Sequence, residues 1–289
     1  MFTDPVFMFG SGRMTMLRNH SKKVPNWRIF AMLPVIILGF ISTIGTNGDN
    51  GDGNGGMRFE EEEPFSFEIT VDNQDQFNLL GVNGEITITG ESGADSVIVT
   101  GIKRVQSSIS SQDAIDHLQD LQIDWESVAN EISVATTQPQ DTAERNYTVD
   151  YTITLPLYFK IQVNSINAIA LLDSIDNDVA VNIANADVTL MNIHGSALVV
   201  LANGTIDGEV VLPLNGTIDL STATGSIQLA IPVNTSAEFS ATALFGNINV
   251  SNLVFQDEVR TSTSLTGVLG SGQGVISLNA MGDVNVSSF

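Results

Sequence analysis

A short unit recurs through the C-terminal half of this chain, and it limits the possible folds more than any other feature. Each copy is a turn residue, a glycine, a polar or small residue, then a β-branched, a polar and an aliphatic residue. Copies are Asn215-Gly216-Thr217-Ile218-Asp219-Leu220, Thr224-Gly225-Ser226-Ile227-Gln228-Leu229 and Phe245-Gly246-Asn247-Ile248-Asn249-Val250. Two more are Gln273-Gly274-Val275-Ile276-Ser277-Leu278 and Met281-Gly282-Asp283-Val284-Asn285-Val286. Asn203-Gly204-Thr205-Ile206-Asp207 is a partial copy, and Asn83-Gly84-Glu85-Ile86-Thr87-Ile88 anticipates the pattern far upstream. Alternating apolar residues give half-buried strands. Short strands returning about every 7–12 residues stack as rungs, with glycine at corners where φ turns positive. The expectation is an all-β, β-solenoid-like domain, with a rolled β-sandwich as the alternative.

The same alternation runs through the N-terminal half of the body. Phe65–Val71, Gly84–Gly90, Ser96–Thr100 and Tyr147–Pro156 each alternate with period two and are rich in β-branched residues. Between Ser111 and Leu121 the period changes. Ala114, Ile115, Leu118 and Leu121 recur at helical spacing, and Ser111 and Asp113 suit a cap and first turn. One short helix is expected there, packed on the sheet, before strand resumes through Ile123, Trp125, Ile132 and Val134. Between Val163 and Val200 the glycine-led unit degrades to Asp178-Val179-Ala180-Val181 and Asp187-Val188-Thr189-Leu190, so less regular rungs are expected there. Phe289 follows the last strand directly, which predicts that the terminus caps the stack.

The N-terminus reads differently. Residues 29–45 carry no charge, and Arg18, Lys22, Lys23 and Arg28 precede them, with Trp27 at the junction. A basic region before an apolar stretch is the pattern of a signal segment or a signal anchor. At 17 residues the stretch is short for a span of about 20. Thr43 and Gly45 form only a weak cleavage pair. The positive flank stays in the cytoplasm, so the body is expected outside. Met14 and Met16 are alternative starts. Residues 46–57 are a Gly/Asn/Asp tether, followed by the acidic run Glu60–Glu63. The division is therefore a basic tail at 1–28, an anchor or signal at 29–45, a linker at 46–64 and a β-repeat domain at 65–289.

Charge excludes one class of partner. The chain has 11 basic and 33 acidic residues. After Arg58 the only basic residues are Lys103, Arg104, Arg145, Lys160 and Arg260. Nucleic-acid binding needs clustered Lys and Arg on the phosphates, so no nucleic-acid partner is expected. There is no cysteine, which removes disulfides, thiolate metal sites and a thiol nucleophile.

No catalytic constellation stands out. The histidines are His20, His117 and His194, too few in the body for a histidine metal triad. A Ser-His-Asp triad is not excluded by counting, but no Gly-x-Ser-x-Gly elbow exists. Gly270-Ser271-Gly272-Gln273-Gly274 lacks the lysine and the following helix of a phosphate loop and reads as a turn. Asp173, Asp176 and Asp178 cluster at a turn, where calcium would find oxygen ligands; solvated loop acids are the plainer reading. Asp49, Asp52 and Asn54 lack the ligand order of a calcium loop. Asn146, Asn203, Asn215, Asn234, Asn249 and Asn285 each head an Asn-x-Ser/Thr triplet. No catalytic, cofactor or metal residue is assigned, and no cofactor is expected.

The order of these features resembles the bacterial putative-adhesin family, which is related to autotransporter-adhesin head domains. The likeness is carried by Leu80–Gly90 leading to Val97-Ile98-Val99, by the helix insert followed by Asn146–Pro156, and by Thr266–Asn279 with Gly282–Val286. The resemblance implies a β-solenoid-like envelope domain with no established enzymatic activity and no catalytic residues to carry over. The reading is a non-enzymatic extracytoplasmic envelope protein, held to the membrane by residues 29–45, that contacts glycans or envelope proteins. The alternatives are a β-helix enzyme acting on polysaccharide and an envelope-stress sensor.

Overall fold

The computed structural model describes residues 59–289. The apolar segment 29–45 and the tether up to Arg58 lie outside the described residues. Among the described residues no helix is long and apolar enough to cross a membrane.

Among the described residues strand predominates, with one short helix. The first half holds β1 (Phe59–Thr70), β2 (Gln76–Leu80), β3 (Asn83–Glu91), β4 (Ser96–Ser107), α1 (Ser111–Leu118), β5 (Gln122–Val128), β6 (Glu131–Thr137), β7 (Arg145–Pro156), β8 (Lys160–Ile175) and β9 (Val179–Ile193). The second half holds β10 (Ala197–Asn203), β11 (Ile206–Val210), β12 (Thr217–Thr224), β13 (Ile227–Ile231), β14 (Ala237–Ala243), β15 (Ile248–Ser251), β16 (Gln256–Arg260), β17 (Ser264–Leu269), β18 (Gly274–Ala280) and β19 (Val284–Ser288). β1 starts at Phe59, so the acidic run Glu60–Glu63 belongs to a strand and not to the linker. Alternation of the glutamates and Phe65, Phe67 and Ile69 with partners on β4 is enough to extend the strand that far.

Each rung is two strand segments joined at a corner, and successive rungs pair in parallel to build two walls. One wall pairs β6, β2, the first half of β8, the first half of β9, β10, β12, β18 and β14. The other pairs β7, β3, the second halves of β8 and β9, β11, β13, β19 and β15. Inward aliphatics from both walls fill one core. Ile132, Phe77, Ile161, Val179, Ala197, Ile218, Ile276 and Phe239 form one such column, all buried. Burying one Ile or Leu fully contributes about 1.5–3 kcal/mol, so the stacked columns carry the fold. Parallel stacking makes this a solenoid and not a sandwich.

Rung order departs from chain order at both ends. β2–β3 lies between β6–β7 and β8, because the chain returns through antiparallel β4 and lays β6–β7 outside. At the other end β18–β19 slips between β12–β13 and β14–β15. The C-terminal strand is thus internal, contrary to the expectation that it caps the stack. Capping falls to antiparallel strands, β16–β17 against β14 and β4–β1 and β5 at the opposite end. Aromatic rings cover the core there: Phe65 packs edge-on to Tyr151 at 5.6 Å and Phe67 stacks on Trp125 at 6.4 Å. Phe255 closes the other end over Phe239 at 4.9 Å.

The corners explain the glycine-led unit. Gly204 has φ +124°, and a Cβ there would lie 1.6 Å from the Ala186 carbonyl oxygen. Gly225, one rung on, has φ +147° and would meet the Gly204 carbonyl at 1.9 Å. Where the unit degrades, Asn-Ala takes the corner as Asn167-Ala168 and Asn185-Ala186. These rungs are the reverse of irregular: β8 and β9 are the longest strands, 16 and 15 residues, paired along nearly their whole length. An asparagine ladder replaces glycine as the organising element. Asn203 donates to Asn185 Oδ1, Asn185 to Asn167 Oδ1, and Asn167 to Asn83 Oδ1, at 2.8, 2.8 and 2.6 Å. Asn83 closes the ladder on the Tyr147 carbonyl at 3.0 Å.

The expected helix is present at Ser111–Leu118. Its cap is Ser110, one residue before the expected one: the Ser110 hydroxyl accepts from Asp113 N at 3.1 Å.

Candidate functional site

Because successive strand residues face opposite sides, every residue between two inward aliphatics points outward. On the second wall these outward positions fall into register across ten strands. The central column runs Ser66, Thr100, Thr152, Thr87, Leu171, Thr189, Asp207, Gln228, Asn285, Asn249. Only Leu171 is apolar. With strands about 4.8 Å apart, nine steps make a polar ladder of roughly 43 Å. Hydroxyls hold one end and amides the other.

At the amide end the wall is hollowed into a shallow groove of about 250 Å³. Asp207, Gln228, Asn249, Asn285, Ser251 and Ser287 supply its polar lining, and Ala230 keeps its middle low. Asn249 Nδ2 donates to Asn285 Oδ1 at 2.9 Å. Among the described residues the Asn285 amide hydrogens and the Asn249 Oδ1 make no bond to protein, so one donor and one acceptor face solvent side by side. Asp207 is the single ionisable group of the lining. Amides and hydroxyls donate and accept alike, which suits a polyhydroxyl surface. The groove has no nucleophile–base pair in hydrogen-bond reach, and a lone carboxylate provides no acid–base couple.

The other candidates resolve into rung-to-rung ties. His194 Nδ1 pairs with Asp176 Oδ1 at 2.6 Å, and both are half exposed. The neighbouring serines are engaged elsewhere, Ser174 donating to Asp173 and Ser196 accepting from Thr217 N. The three aspartates of the turn do not converge. Asp173 accepts from Asn192 at 2.9 Å, Asp176 bonds His194, and Asp178 accepts from Ser196 N at 3.0 Å. Among the described residues no three His, Asp or Glu side chains converge on one point. In the Gly270–Gly274 loop the amides of Ser271 and Gln273 point at Ser236 Oγ, at 3.0 and 3.3 Å. The loop joins β17 to β18, and Gly272 N bonds the Leu269 carbonyl and Gly274 N the Ser236 carbonyl.

One polar cluster has no counterpart in the sequence reading. Arg145 donates to both oxygens of Asp113, at 2.8 and 2.6 Å, and the fully buried Ser107 donates to Asp113 Oδ2 at 2.6 Å. The Arg145 guanidinium, with the Ser107 hydroxyl, holds the Asp113 carboxyl down at about 2. His117 lies on the far side, between Asp113 and Asp120. The Ser107 hydroxyl is aimed at a carboxylate and not at an imidazole, so the cluster is no nucleophilic triad; it rivets α1 to β4 and β7. Asp113 itself stands out in the sequence as a first-turn residue of the helix. The partner Arg145, 32 residues away, does not.

Residues 159–287 match the Toastrack family, DUF4097. Among solved structures, a putative cell adhesion protein from Clostridium sporogenes is similar at 13% identity, over 78% of this chain and 100% of that one, with a TM-score of 0.42. A putative adhesin from Bacteroides fragilis is similar at 10% identity, over 78% and 97%, with a TM-score of 0.27. A putative lipid binding protein from Parabacteroides distasonis is similar at 12% identity, over 78% and 96%, with a TM-score of 0.25. No curated protein matches the chain. The matched stretch builds the rungs β8, β9, β10–β11, β12–β13, β14–β15 and β18–β19.

Proposed function

We propose that this chain is a non-enzymatic envelope protein whose solenoid presents the polar wall to neutral glycans outside the cytoplasm. The in-register column from Ser66 to Asn249 carries this reading. A polymer of hydroxyl groups lying along the stack meets a fresh amide or hydroxyl at every rung, each hydrogen bond contributing about 0.5–1.5 kcal/mol. The acidic surface, −22 overall, repels anionic polymers and leaves neutral ones. Arg18, Lys22, Lys23 and Arg28 before the uncharged 29–45 segment supply export and attachment, with the tether as spacer. Fractionation with protease on intact cells tests the placement. A protease-accessible body still joined to residues upstream of Gly45 supports the anchored form, and release after about Gly45 supports a secreted form. A body protected in the cytosol overturns the proposal.

A further inference from the structure

The six Asn-x-Ser/Thr triplets among the described residues occupy very different places in the fold. Asn203 is spent in the corner ladder, donating to Asn185 at 2.8 Å. Asn249 donates to Asn285, and Asn146 to Gln106 at 3.2 Å. Asn249 and Asn285 head their triplets because residues two apart share a wall face, which puts Ser251 and Ser287 beside them. Alternation alone accounts for those matches.

Asn215 and Asn234 are different. Both stand exposed at the third position of a proline-led turn, closed by Gly216 N on the Pro213 carbonyl and by Thr235 N on the Pro232 carbonyl, each at 3.0 Å. Beside them Leu214 and Val233 are each 69% exposed. The two turns diverge at the hydroxyl that completes the triplet. Ser236 Oγ is occupied by the amides of Ser271 and Gln273. Thr217 is exposed, and its hydroxyl makes no bond to protein among the described residues; nor does the Asn215 side chain. Asn215 sits in its turn at φ +60°.

We infer that Asn215 is an acceptor for an N-linked glycan. The Asn215 amide nitrogen would attack the anomeric carbon of a glycosyl group carried on a lipid diphosphate. A C–N bond forms, the bond from that carbon to the diphosphate oxygen breaks, the amide loses one proton, and the lipid diphosphate leaves. The glycan would also shelter Leu214 from water. This inference rests on the export reading, since the acceptor must meet a transferase outside the cytoplasm.

The test is a peptide map by mass spectrometry of the full chain from the exported fraction of its own host. The expected result is a saccharide mass on the peptide bearing Asn215, its loss in Asn215→Gln and in Thr217→Ala, and its retention in Thr217→Ser. Peptides bearing Asn203, Asn249 and Asn285 stay unmodified. Thr217→Ala leaves the turn residues intact, so loss there cannot come from a disturbed turn. An exported chain with bare Asn215, or saccharide spread evenly over the six asparagines, overturns the inference while leaving export standing. A chain retained in the cytosol overturns both.

Discussion

Asn185 donates its side-chain amide to Asn167 Oδ1 at 2.8 Å, across one rung and 18 residues of chain. The same step joins Asn203 to Asn185, so Asn185 is both donor and acceptor at mid-ladder. Removing it strands the Asn167 carbonyl at a part-buried corner and leaves the exposed Asn203 amide to water. Asn185→Ala should cost about 1–3 kcal/mol, read from urea unfolding, while Asn203→Ala at the ladder's exposed end should cost less.

Corner glycines should be intolerant for a reason the loop glycines lack. Gly204→Ala puts a methyl 1.6 Å from the Ala186 carbonyl oxygen. A loss above about 4 kcal/mol, or failure to fold, is expected. Gly93 has φ +79° but open space around its missing Cβ, so Gly93→Ala should cost only about 1–2 kcal/mol from backbone strain. Thermal unfolding of both variants separates clash from strain.

Acid should loosen the helix rivet. The Asp113 carboxyl is held at about 2, from 3.8, chiefly by Arg145. A depressed carboxylate contributes stability that is present above its unfolded value and lost as pH falls through its folded one. The Asp113 contribution should therefore fade between about pH 4 and pH 2. Protection of the α1 amides, taken relative to the intrinsic exchange rate at each pH, should fall across that window. In Asp113→Asn the α1 amides should be less protected at neutral pH, and their protection should no longer change between about pH 4 and pH 2.

Alkali acts at Tyr151. Burial raises its phenol to about 12, and its hydroxyl meets Thr136 Oγ1 at 2.7 Å. A raised tyrosine favours the folded state below its unfolded value of about 10 and loses that contribution as pH climbs toward 12. Stability should fall between those limits in the parent and fall less in Tyr151→Phe, which keeps the ring against Phe65. Ultraviolet absorbance of phenolate against pH, followed alongside unfolding, checks this.

Much of the fold can be read from residue order because its forces are local. Period-two aliphatics mark β3, β4 and β7, and the helical spacing at Ala114, Ile115 and Leu118 marks α1. What escapes is long-range pairing. Nothing near Met281–Val286 reveals that this rung slips inside β14–β15, since the partners Asn247 and Asp283 lie 36 residues apart. Asn167 and Asn185 look like a lapse in the glycine unit, yet their ladder orders the longest strands. The polar column is hidden for the same reason: Thr189, Asp207 and Gln228 are neighbours only through register.

The most direct measurement is binding of uncharged oligosaccharides to the full chain, compared with the triple variant Gln228→Ala, Asn249→Ala, Asn285→Ala. These three side chains point out from the wall, so folding should be unchanged by circular dichroism. Retention of a neutral oligosaccharide by the parent and at least a tenfold loss, about 1.4 kcal/mol, in the variant are expected. No retained neutral oligosaccharide, or equal binding by parent and variant, would contradict the proposed function.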